Sequence, residues 1–275
     1  MQTDECRPID VKPLWTAVTT VRDKAPLIHN ITNFVVMNNT ANALLAIGAS
    51  PAMIHSADEV EDFVAISQAL GVKIGTLDSG LIAACKLAAI RASAVGAPWI
   101  LDPVGAGATP YRRLAAGVLS RLKPAVIRGN GSEILTLAQQ AGEGRGVDSL
   151  HDAETALVAA QRLAKDTGAV VAITGAVDYV TDGARIIAIH NGHPLMARVT
   201  GLGCSATAVI GAFLGVESDA FTAAVAALTF FGVAGELAAE RSPGPGTLQV
   251  ALLDTLYTLD EATFSQRALV KLYVS

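Results

Sequence analysis

The sequence has few cysteines, and the three that are present lie far apart. Cys6, Cys85 and Cys204 form no Cys-x-x-Cys pair in a chain of 275 residues. A disulfide framework needs paired cysteines and a structural zinc site needs closely spaced ones, so the sequence excludes both. This cysteine usage fits a reducing compartment, and we expect a cytoplasmic protein. The polar first ten residues lack the apolar core of a signal peptide, which agrees with that expectation.

Charge is also scarce, because charged residues make up 16% of the chain and hydrophobic residues 51%. This balance argues against disorder and fits a well-buried core or a large oligomer interface. The net charge of −5 disfavours a nucleic-acid or anionic-membrane partner. Two uncharged stretches, 199–216 and 220–235, are broken by glycines or are too short for the roughly 20 apolar residues of a membrane span. We expect both to form buried helices.

The chain lacks internal repeats and Pro- or Ser-rich linkers, so we expect one domain over residues 1–275. Short apolar runs alternate with helical patterns, which predicts an α/β fold with a mostly parallel sheet and helices on both faces. Successive extended runs near residues 169–199 predict an antiparallel edge. The predicted strands are 26–31, 50–54, 72–77, 98–101, 125–128, 169–174, 178–181, 185–190 and 195–199. The predicted helices are 11–23, 33–46, 58–70, 81–95, 114–122, 132–140 and 152–165, with a Gly-rich loop at 142–146, three Ala-rich helices later and a polar tail.

The most informative segment is a glycine-rich turn at residues 199–207, Val-Thr-Gly-Leu-Gly-Cys-Ser-Ala-Thr. Gly201 and Gly203 allow a tight turn, and the small residues after them predict the start of a helix. The first N–H groups of that helix and its positive dipole end would form a site for anionic oxygen, most often phosphate. Cys204 lies in the first helical turn, where we expect the same field to favour its thiolate. A plain strand-to-helix turn with a buried cysteine explains the segment equally well when it is taken alone.

Polar side chains follow three predicted strands at the carboxyl edge of the sheet, where ligands bind in such folds. Asp102 ends one strand, and its carboxylate either serves a metal ion or caps a turn. Arg128 ends another strand and is suited to clamp phosphate. Asn130 and Glu133 supply oxygen ligands suited to hydrated Mg²⁺, although the same pair also forms a capping box. Thr174 ends a third strand, where an ordinary turn is the simpler interpretation.

A cluster of amides, hydroxyls and an imidazole at residues 28–33 suits recognition of a small neutral ligand. We assign Asn30, within this cluster, to substrate binding. Met53 follows a later predicted strand, where a methionine is more often part of the core than a ligand contact. His29 is likewise more often a structural histidine.

Together these sites indicate phosphoryl transfer. They combine an anion site at a helix N-terminus, an arginine, a strand-end aspartate and an Asn/Glu pair for magnesium. The chain lacks the Walker sequence Gly-x-x-x-x-Gly-Lys and the catalytic loop of protein kinases, so it is neither a P-loop enzyme nor a protein kinase. The remaining class is the ribokinase-like fold.

Five motifs, in order along the chain, resemble those of the hydroxyethylthiazole kinase family. They are HNITNFVVMNNTANALLAIGASPAM (29–53), LDPVGAGATP (101–110), IRGNGSEI (127–134), AITGAVD (172–178) and VTGLGCSAT (199–207). The resemblance covers nearly the whole chain, and five ordered motifs are far more specific than any one of them. It implies a ribokinase-like three-layer α/β/α fold. It also implies ATP- and Mg²⁺-dependent phosphorylation of the hydroxyl of 4-methyl-5-(2-hydroxyethyl)thiazole in thiamine biosynthesis and salvage.

The resemblance also implies roles for individual residues. On the acceptor side, Met53 contacts the thiazole and Gly201 lies at its hydroxyl. The ATP contacts are Arg128, Thr174 and Gly203, whereas Asp102 and Glu133 serve the magnesium–phosphate region. The family forms a homotrimer with active sites between subunits, in which the HNITN segment reaches a neighbouring site.

Cys204 replaces the aspartate base of most ribokinase-like enzymes, as is usual for this family. We assign Cys204 to orienting the acceptor hydroxyl, because a loose phosphoryl-transfer transition state needs little early deprotonation. Whether it also acts as a base is left open. Leu202 adds bulk between the two glycines, but neither glycine is lost, so we expect the anion site to persist.

Two other functions stay open at this point. A hydroxymethylpyrimidine kinase has the same fold, although the HNITN segment and the cysteine favour the thiazole enzyme. A non-catalytic thiazole- or nucleotide-binding regulator is the other. Such a protein would not need Asp102, Arg128, Asn130, Glu133 and Thr174 together.

Overall fold

A single sheet runs through the computed structural model, which describes residues 7–141 and 153–273. Its strands are β1 (Arg7–Pro8), β2 (Leu27–Ile31), β3 (Ser50–Ala52), β4 (Ala69–Lys73), β5 (Trp99–Asp102), β6 (Val126–Asn130), β7 (Val170–Thr174), β8 (Asp178–Thr181), β9 (Ile186–Ile189) and β10 (Val270–Leu272). Their spatial order is β1-β10-β9-β8-β7-β6-β5-β4-β2-β3. Strands β2 to β7 are parallel, and the remaining strands add antiparallel pairs beyond β7.

Helices connect the strands and follow them. They are α1 (Lys12–Lys24), α2 (Met37–Ala46), α3 (Val60–Ile66), α4 (Ser79–Val95), α5 (Pro110–Ser120), α6 (Gly131–Ala141), α7 (Ala153–Thr167), α8 (Leu202–Leu214), α9 (Ala220–Glu240), α10 (Pro245–Thr258) and α11 (Glu261–Arg267). Local sequence explains several of their ends. Asp78 accepts the N–H of Leu81 at the start of α4, and Gly96 ends that helix in the left-handed region.

Two apolar layers cover the two faces of the sheet. One packs α1, α2 and α8 to α11 on one face, with Ile28 and Ile100 of the sheet. The other packs α3 to α7 on the opposite face, with Leu70 and Leu101. Because successive strand residues point to opposite faces, a parallel strand buried on both sides has a continuous apolar sequence. The expected three-layer α/β/α fold with an antiparallel edge is confirmed.

Helix α9 is the one described helix whose length and composition would allow it to cross a membrane. Its most apolar window is 83% buried within the fold. It packs against α1, α8 and α10 in the first apolar layer. Its apolar character is therefore explained by its place in the core, as expected for the stretch 220–235.

Two secondary-structure predictions are wrong, those for residues 195–199 and 58–70, and the strand predicted at 72–77 lies at Ala69–Lys73 instead. Residues 195–198 belong to a 3₁₀ helix, Pro194–Arg198, that Val199 follows. Pro194 suits a first helical turn, and the His193 ring caps the helix by accepting the N–H of Leu195. The predicted helix 58–70 stops at Ile66, since Ala69–Lys73 pairs between β2 and β5. The polar tail contains β10, which pairs with β1 and β9. The predicted loop at 142–146 lies outside the described residues.

Candidate active site

The first turn of α8 stands at the carboxyl edge of the parallel strands. Its first helical hydrogen bond runs from the N–H of Ser205 to the carbonyl of Gly201, so the N–H groups of residues 202–204 precede the intrahelical ladder. Gly201 has a φ of +82°, and a Cβ there would lie 2.5 Å from Val36 Cγ1. Glycine is therefore required at this turn for both its conformation and its size. A helix forms here as predicted, but it begins at Leu202, so Gly203 lies within its first turn and not before it.

Cys204 lies in this first turn and is buried, with 8% of its surface exposed. Its Sγ accepts a hydrogen bond from Asn33 Nδ2, 3.4 Å away. Burial and the nearby Asp102 carboxylate raise the pKa of the thiol to about 11, although Lys73, Asn33 and Arg128 act in the opposite direction. The expected net preference for a thiolate is therefore wrong, because burial and the Asp102 charge outweigh the influences that favour it. At neutral pH the group is a thiol.

Asp102 ends β5 beneath α8 and is almost fully buried. Thr207, one turn further along α8, donates its hydroxyl to Asp102 Oδ2 over 2.7 Å. The guanidinium of Arg128 lies 3.7 Å from the same oxygen. The carboxylate is therefore fixed by a hydroxyl from the helix and a cation from the next strand, and a buried charge requires such partners.

Arg128 connects the strand ends with the helix. Its Nη2 donates to Thr174 Oγ1 at 2.6 Å, so the side chains at the ends of β6 and β7 are joined. Its Nε is buried and has no hydrogen-bond partner among residues 7–141 and 153–273. A Cβ on Gly203 would lie 2.9 Å from Arg128 Nη1, so glycine at this position lets the guanidinium pack against the start of α8.

Glu133 forms the capping box that the sequence left as one of two interpretations. Its Oε2 accepts the N–H of Asn130 at 2.8 Å, and Asn130 Oδ1 accepts the N–H of Glu133 at 3.0 Å. Its other oxygen accepts the N–H of Gly105 at 2.8 Å, in the loop after β5. Burial raises the pKa of Glu133, and the nearby Asp102 adds to that increase. The magnesium role of Glu133 stays a prediction.

Met53 and Asn30, two of the residues predicted on the acceptor side, differ in their surroundings. Met53 follows β3, at the edge of the sheet, and is half-buried. Asn30, on β2, has no exposed surface. Its Oδ1 accepts from Lys73 Nζ at 2.8 Å, and its Nδ2 donates to the carbonyl of Ile28 at 3.0 Å. The amide is thus satisfied inside the protein, and its assignment to substrate binding stays a prediction.

Sequence reasoning missed three polar residues of the site. Asn33 contacts Cys204, Thr207 contacts Asp102, and Lys73 binds Asn30. Lys73 had a signal, because it is the single charged residue within the apolar run 69–77. Asn33 and Thr207 lie in the segments 28–33 and 199–207 that the sequence analysis singled out, but their partners are 171 and 105 positions away along the chain, so no individual role could be predicted for them.

Comparison with known proteins identifies the family. The model of the hydroxyethylthiazole kinase family matches residues 18–262. A hydroxyethylthiazole kinase from Granulibacter bethesdensis is 55% identical over 251 residues, covering 91% of this chain and 92% of its own length. One from Syntrophus aciditrophicus is 52% identical over 255 residues, covering 92% and 94% of the two chains.

A solved structure agrees with these relatives. The hydroxyethylthiazole kinase of Pyrococcus horikoshii OT3 superposes with a TM-score of 0.89 and 42% identity, covering 95% of this chain and 99% of its own. With a family model that matches most of the chain and relatives of this identity, the chain belongs to the hydroxyethylthiazole kinase family, in the ribokinase-like fold.

Proposed function

We propose that this protein transfers the γ-phosphoryl group of ATP to the hydroxyl of 4-methyl-5-(2-hydroxyethyl)thiazole, in thiamine biosynthesis and salvage. One observation carries the proposal. In a chain of this family, the start of α8 brings Cys204 and a glycine-rich anion site to the same strand edge as Asp102 and Arg128. Phosphoryl transfer depends mainly on positioning and on electrostatic stabilisation, and this arrangement supplies both.

Some of these residues bind the phosphate groups of ATP, and others position the acceptor hydroxyl. The N–H groups that precede the first intrahelical hydrogen bond of α8, including that of Gly203, stabilise phosphate oxygens together with Arg128. Thr174 holds Arg128 in place and contacts ATP beside it. Cys204 orients the acceptor hydroxyl near Gly201 for in-line attack. As a thiol with a raised pKa it has little thiolate at neutral pH, so orientation is favoured over a base role.

Mg²⁺ fits the chemistry of Asp102 and Glu133. Both are hard oxygen donors, and each raises the electrostatic cost of the other because their negative charges repel. No cluster of three or more His, Cys, Asp or Glu side chains that could hold a metal ion occurs among residues 7–141 and 153–273. Mg²⁺ usually keeps several waters and binds through one or two carboxylates plus substrate phosphates, so two suffice. When bound, the ion supplies neutralisation of phosphate charge.

On the acceptor side, Met53 packs against the thiazole and Asn30 supports that subsite. A homotrimer would place part of this subsite between subunits. Phe34 and Val35 follow directly after Asn33, which contacts Cys204, and they are 69% and 64% exposed. Two exposed apolar residues beside the site are well suited to a subunit interface. The chain then works as one catalytic domain over residues 1–275 in the cytoplasm.

The experiment that tests the function is ADP release by the full chain in Mg-ATP. Hydroxyethylthiazole, hydroxymethylpyrimidine and no acceptor are compared, with ATP binding measured in parallel. Release that depends on the thiazole supports the proposal. Release with the pyrimidine alone would replace the substrate, and folded protein that binds ATP but turns over neither acceptor would point to a regulator.

A further inference from the structure

Lys73 is a charged residue with no exposed surface at the carboxyl end of β4. Its Nζ donates to Asn30 Oδ1 over 2.8 Å. Neither the family motifs nor the roles assigned above use this residue. A buried ammonium is costly, and a well-packed apolar side chain would often stabilise a core at least as well. The presence of Lys73 at this position therefore calls for an explanation beyond packing.

The sheet register places this lysine among the site residues. Asn30 pairs with Gly71, and Lys73 pairs with Asp102 on the next parallel strand. Residues two apart on a strand share a face, so these four positions lie on the face that α8 covers. A Cβ on Gly71 would be 3.3 Å from Lys73 Nζ and 3.0 Å from Asn30 Oδ1. The missing side chain at Gly71 leaves the room in which the ammonium reaches Asn30.

The charged and titratable groups near Lys73 belong to the reaction site. Burial lowers the pKa of Lys73 to about 8. Cys204 on α8 and Asp102 on β5 act in the opposite direction and raise it, but their effect is smaller. In return, Lys73 is the main influence that lowers the pKa of Cys204. Arg128 acts on Cys204 in the same direction, but it also lies 3.7 Å from Asp102 and donates to Thr174, whereas the ammonium of Lys73 is held on the face that α8 covers.

We propose that Lys73 is a positioning residue that acts as the internal cation of the site. Its ammonium, held over Gly71 by Asn30, sets the electrostatic field at Cys204 and Asp102. That field favours the negative charge that gathers between acceptor and phosphate during transfer, because a fixed charge acts strongly where water is excluded. In this account Asn30 holds the lysine in place. The proposal rests on the proposed function for its catalytic consequence, but the field itself does not.

The field can be measured without catalysis, through alkylation of Cys204 by iodoacetamide, followed by peptide mass spectrometry. Below the pKa of Cys204, the alkylation rate follows the thiolate fraction. Lys73→Met removes the charge and the hydrogen bond, whereas Lys73→Gln removes the charge but keeps an N–H donor for Asn30. Lys86→Met, at an exposed position on α4, controls for net charge. Cys85, which is fully buried, reports any general loosening of the fold.

We expect Cys204 to be alkylated about tenfold more slowly in both Lys73 variants, the change that one pKa unit produces. Lys86→Met should match the unaltered protein, and Cys85 should stay unlabelled. A normal rate in Lys73→Gln would show that the hydrogen bond, and not the charge, matters, and would overturn the proposal. A normal rate in both variants would also overturn it. If Lys73→Met does not fold, the Gln variant decides alone.

Turnover then separates this proposal from the proposed function. In thiazole-dependent ADP release, both Lys73 variants should lose about tenfold or more in kcat, with the KM for the thiazole changed little. Slower alkylation with unchanged kcat would keep the field and reject its catalytic role. If the unaltered protein shows no thiazole-dependent release, the proposed function fails, whereas the alkylation result still decides on the field.

Discussion

At the scale of single residues, burial changes the chemistry expected of Cys204. The sequence places this thiol at a helix N-terminus, where thiolates are usually favoured. The folded protein surrounds it with apolar atoms and a carboxylate, and its pKa rises to about 11. Desolvation and the Asp102 charge together exceed the stabilisation of the thiolate by Lys73, Asn33 and Arg128.

For Cys204→Ala we expect kcat to fall by about 10- to 100-fold, because the group that orients the hydroxyl is lost. The KM for the thiazole should change little, since the alanine removes few contacts with the ring. Steady-state kinetics of ADP release check this, with Cys204→Ser as the variant that keeps a hydroxyl for hydrogen bonding. A large rise in KM with kcat intact would contradict the assigned role.

Thr207 offers a second test at this scale, because its hydroxyl holds the Asp102 carboxylate. Thr207→Val keeps the shape but removes the donor, so we expect kcat to fall about tenfold and stability to fall by about 1 to 2 kcal/mol. Thr229→Val is the matched control, since that buried hydroxyl donates to the carbonyl of Val225 within α9. Equal losses of activity in the two variants would reject a specific role for Thr207.

At the scale of elements, the start of α6 combines a cap with a candidate metal ligand. Glu133 closes a capping box with Asn130 and also accepts from Gly105. Its carboxylate thereby joins the helix start to the loop after β5. A cap is a structural feature, whereas a magnesium ligand is a functional one, and the two roles respond differently to loss of charge.

Glu133→Gln and Asn130→Ala separate these roles. Glutamine keeps an oxygen acceptor but loses the charge, so we expect a higher Mg²⁺ concentration for half-maximal activity and about 1 kcal/mol of lost stability. Asn130→Ala removes the cap on the N–H of Glu133 and should cost similar stability without that change in Mg²⁺ dependence. Magnesium titrations of activity and urea unfolding supply the two readouts. If the dependence of activity on Mg²⁺ concentration is identical for the two variants, the magnesium role of Glu133 is rejected and its role is limited to capping α6.

At the scale of the whole molecule, His29 couples stability to pH. Its Nε2 donates to the carbonyl of Ile54, 2.9 Å away, while its buried Nδ1 has no hydrogen-bond partner in the described part of the chain. Burial is the main cause that lowers the pKa of His29 from 6.5 to about 4, and His55 lowers it further. The folded protein therefore holds a neutral ring at a pH where the unfolded chain would be protonated.

Between about pH 6.5 and 4 the unfolded state binds more protons, so the free energy of unfolding should decrease as pH falls through this window. The contribution of His29 to that loss is about 3 kcal/mol. Urea unfolding at several pH values checks this for the unaltered protein and for His29→Gln, which keeps a donor but does not titrate. Parallel pH profiles for the two proteins would refute the assignment to His29.

The oligomeric state is the second prediction for the whole molecule. We expect a trimer of three 28.2-kDa chains, held partly by the exposed apolar residues Phe34 and Val35. Light scattering after size exclusion should give that mass, and Phe34→Ser should shift it towards the monomer because an exposed apolar contact is lost. An unaltered protein that is monomeric at micromolar concentration would remove the inter-subunit site from the proposal.

Sequence alone determined the layered α/β fold and pointed to the segments that form the candidate site. Apolar runs of strand length and apolar residues at helical spacing involve residues close together in the sequence, so both patterns can be recognised from the sequence alone. The glycines of the 199–207 turn and the polar residues that end β5, β6 and β7 are local signals of the same kind. The errors at 58–70 and 195–199 arose where strand pairing and a proline-led 3₁₀ turn outweighed the local pattern.

Only the tertiary structure decided how the site residues meet and what state they are in. Thr207 contacts Asp102, Asn33 contacts Cys204, and Lys73 contacts Asn30. The two residues of each pair lie on different elements and far apart in the sequence, so the sequence does not show that they meet. The direction of the Cys204 pKa shift depends on burial and on a carboxylate from another strand. Desolvation and charge proximity are properties of three-dimensional packing, and for that reason no pattern along the chain contained them.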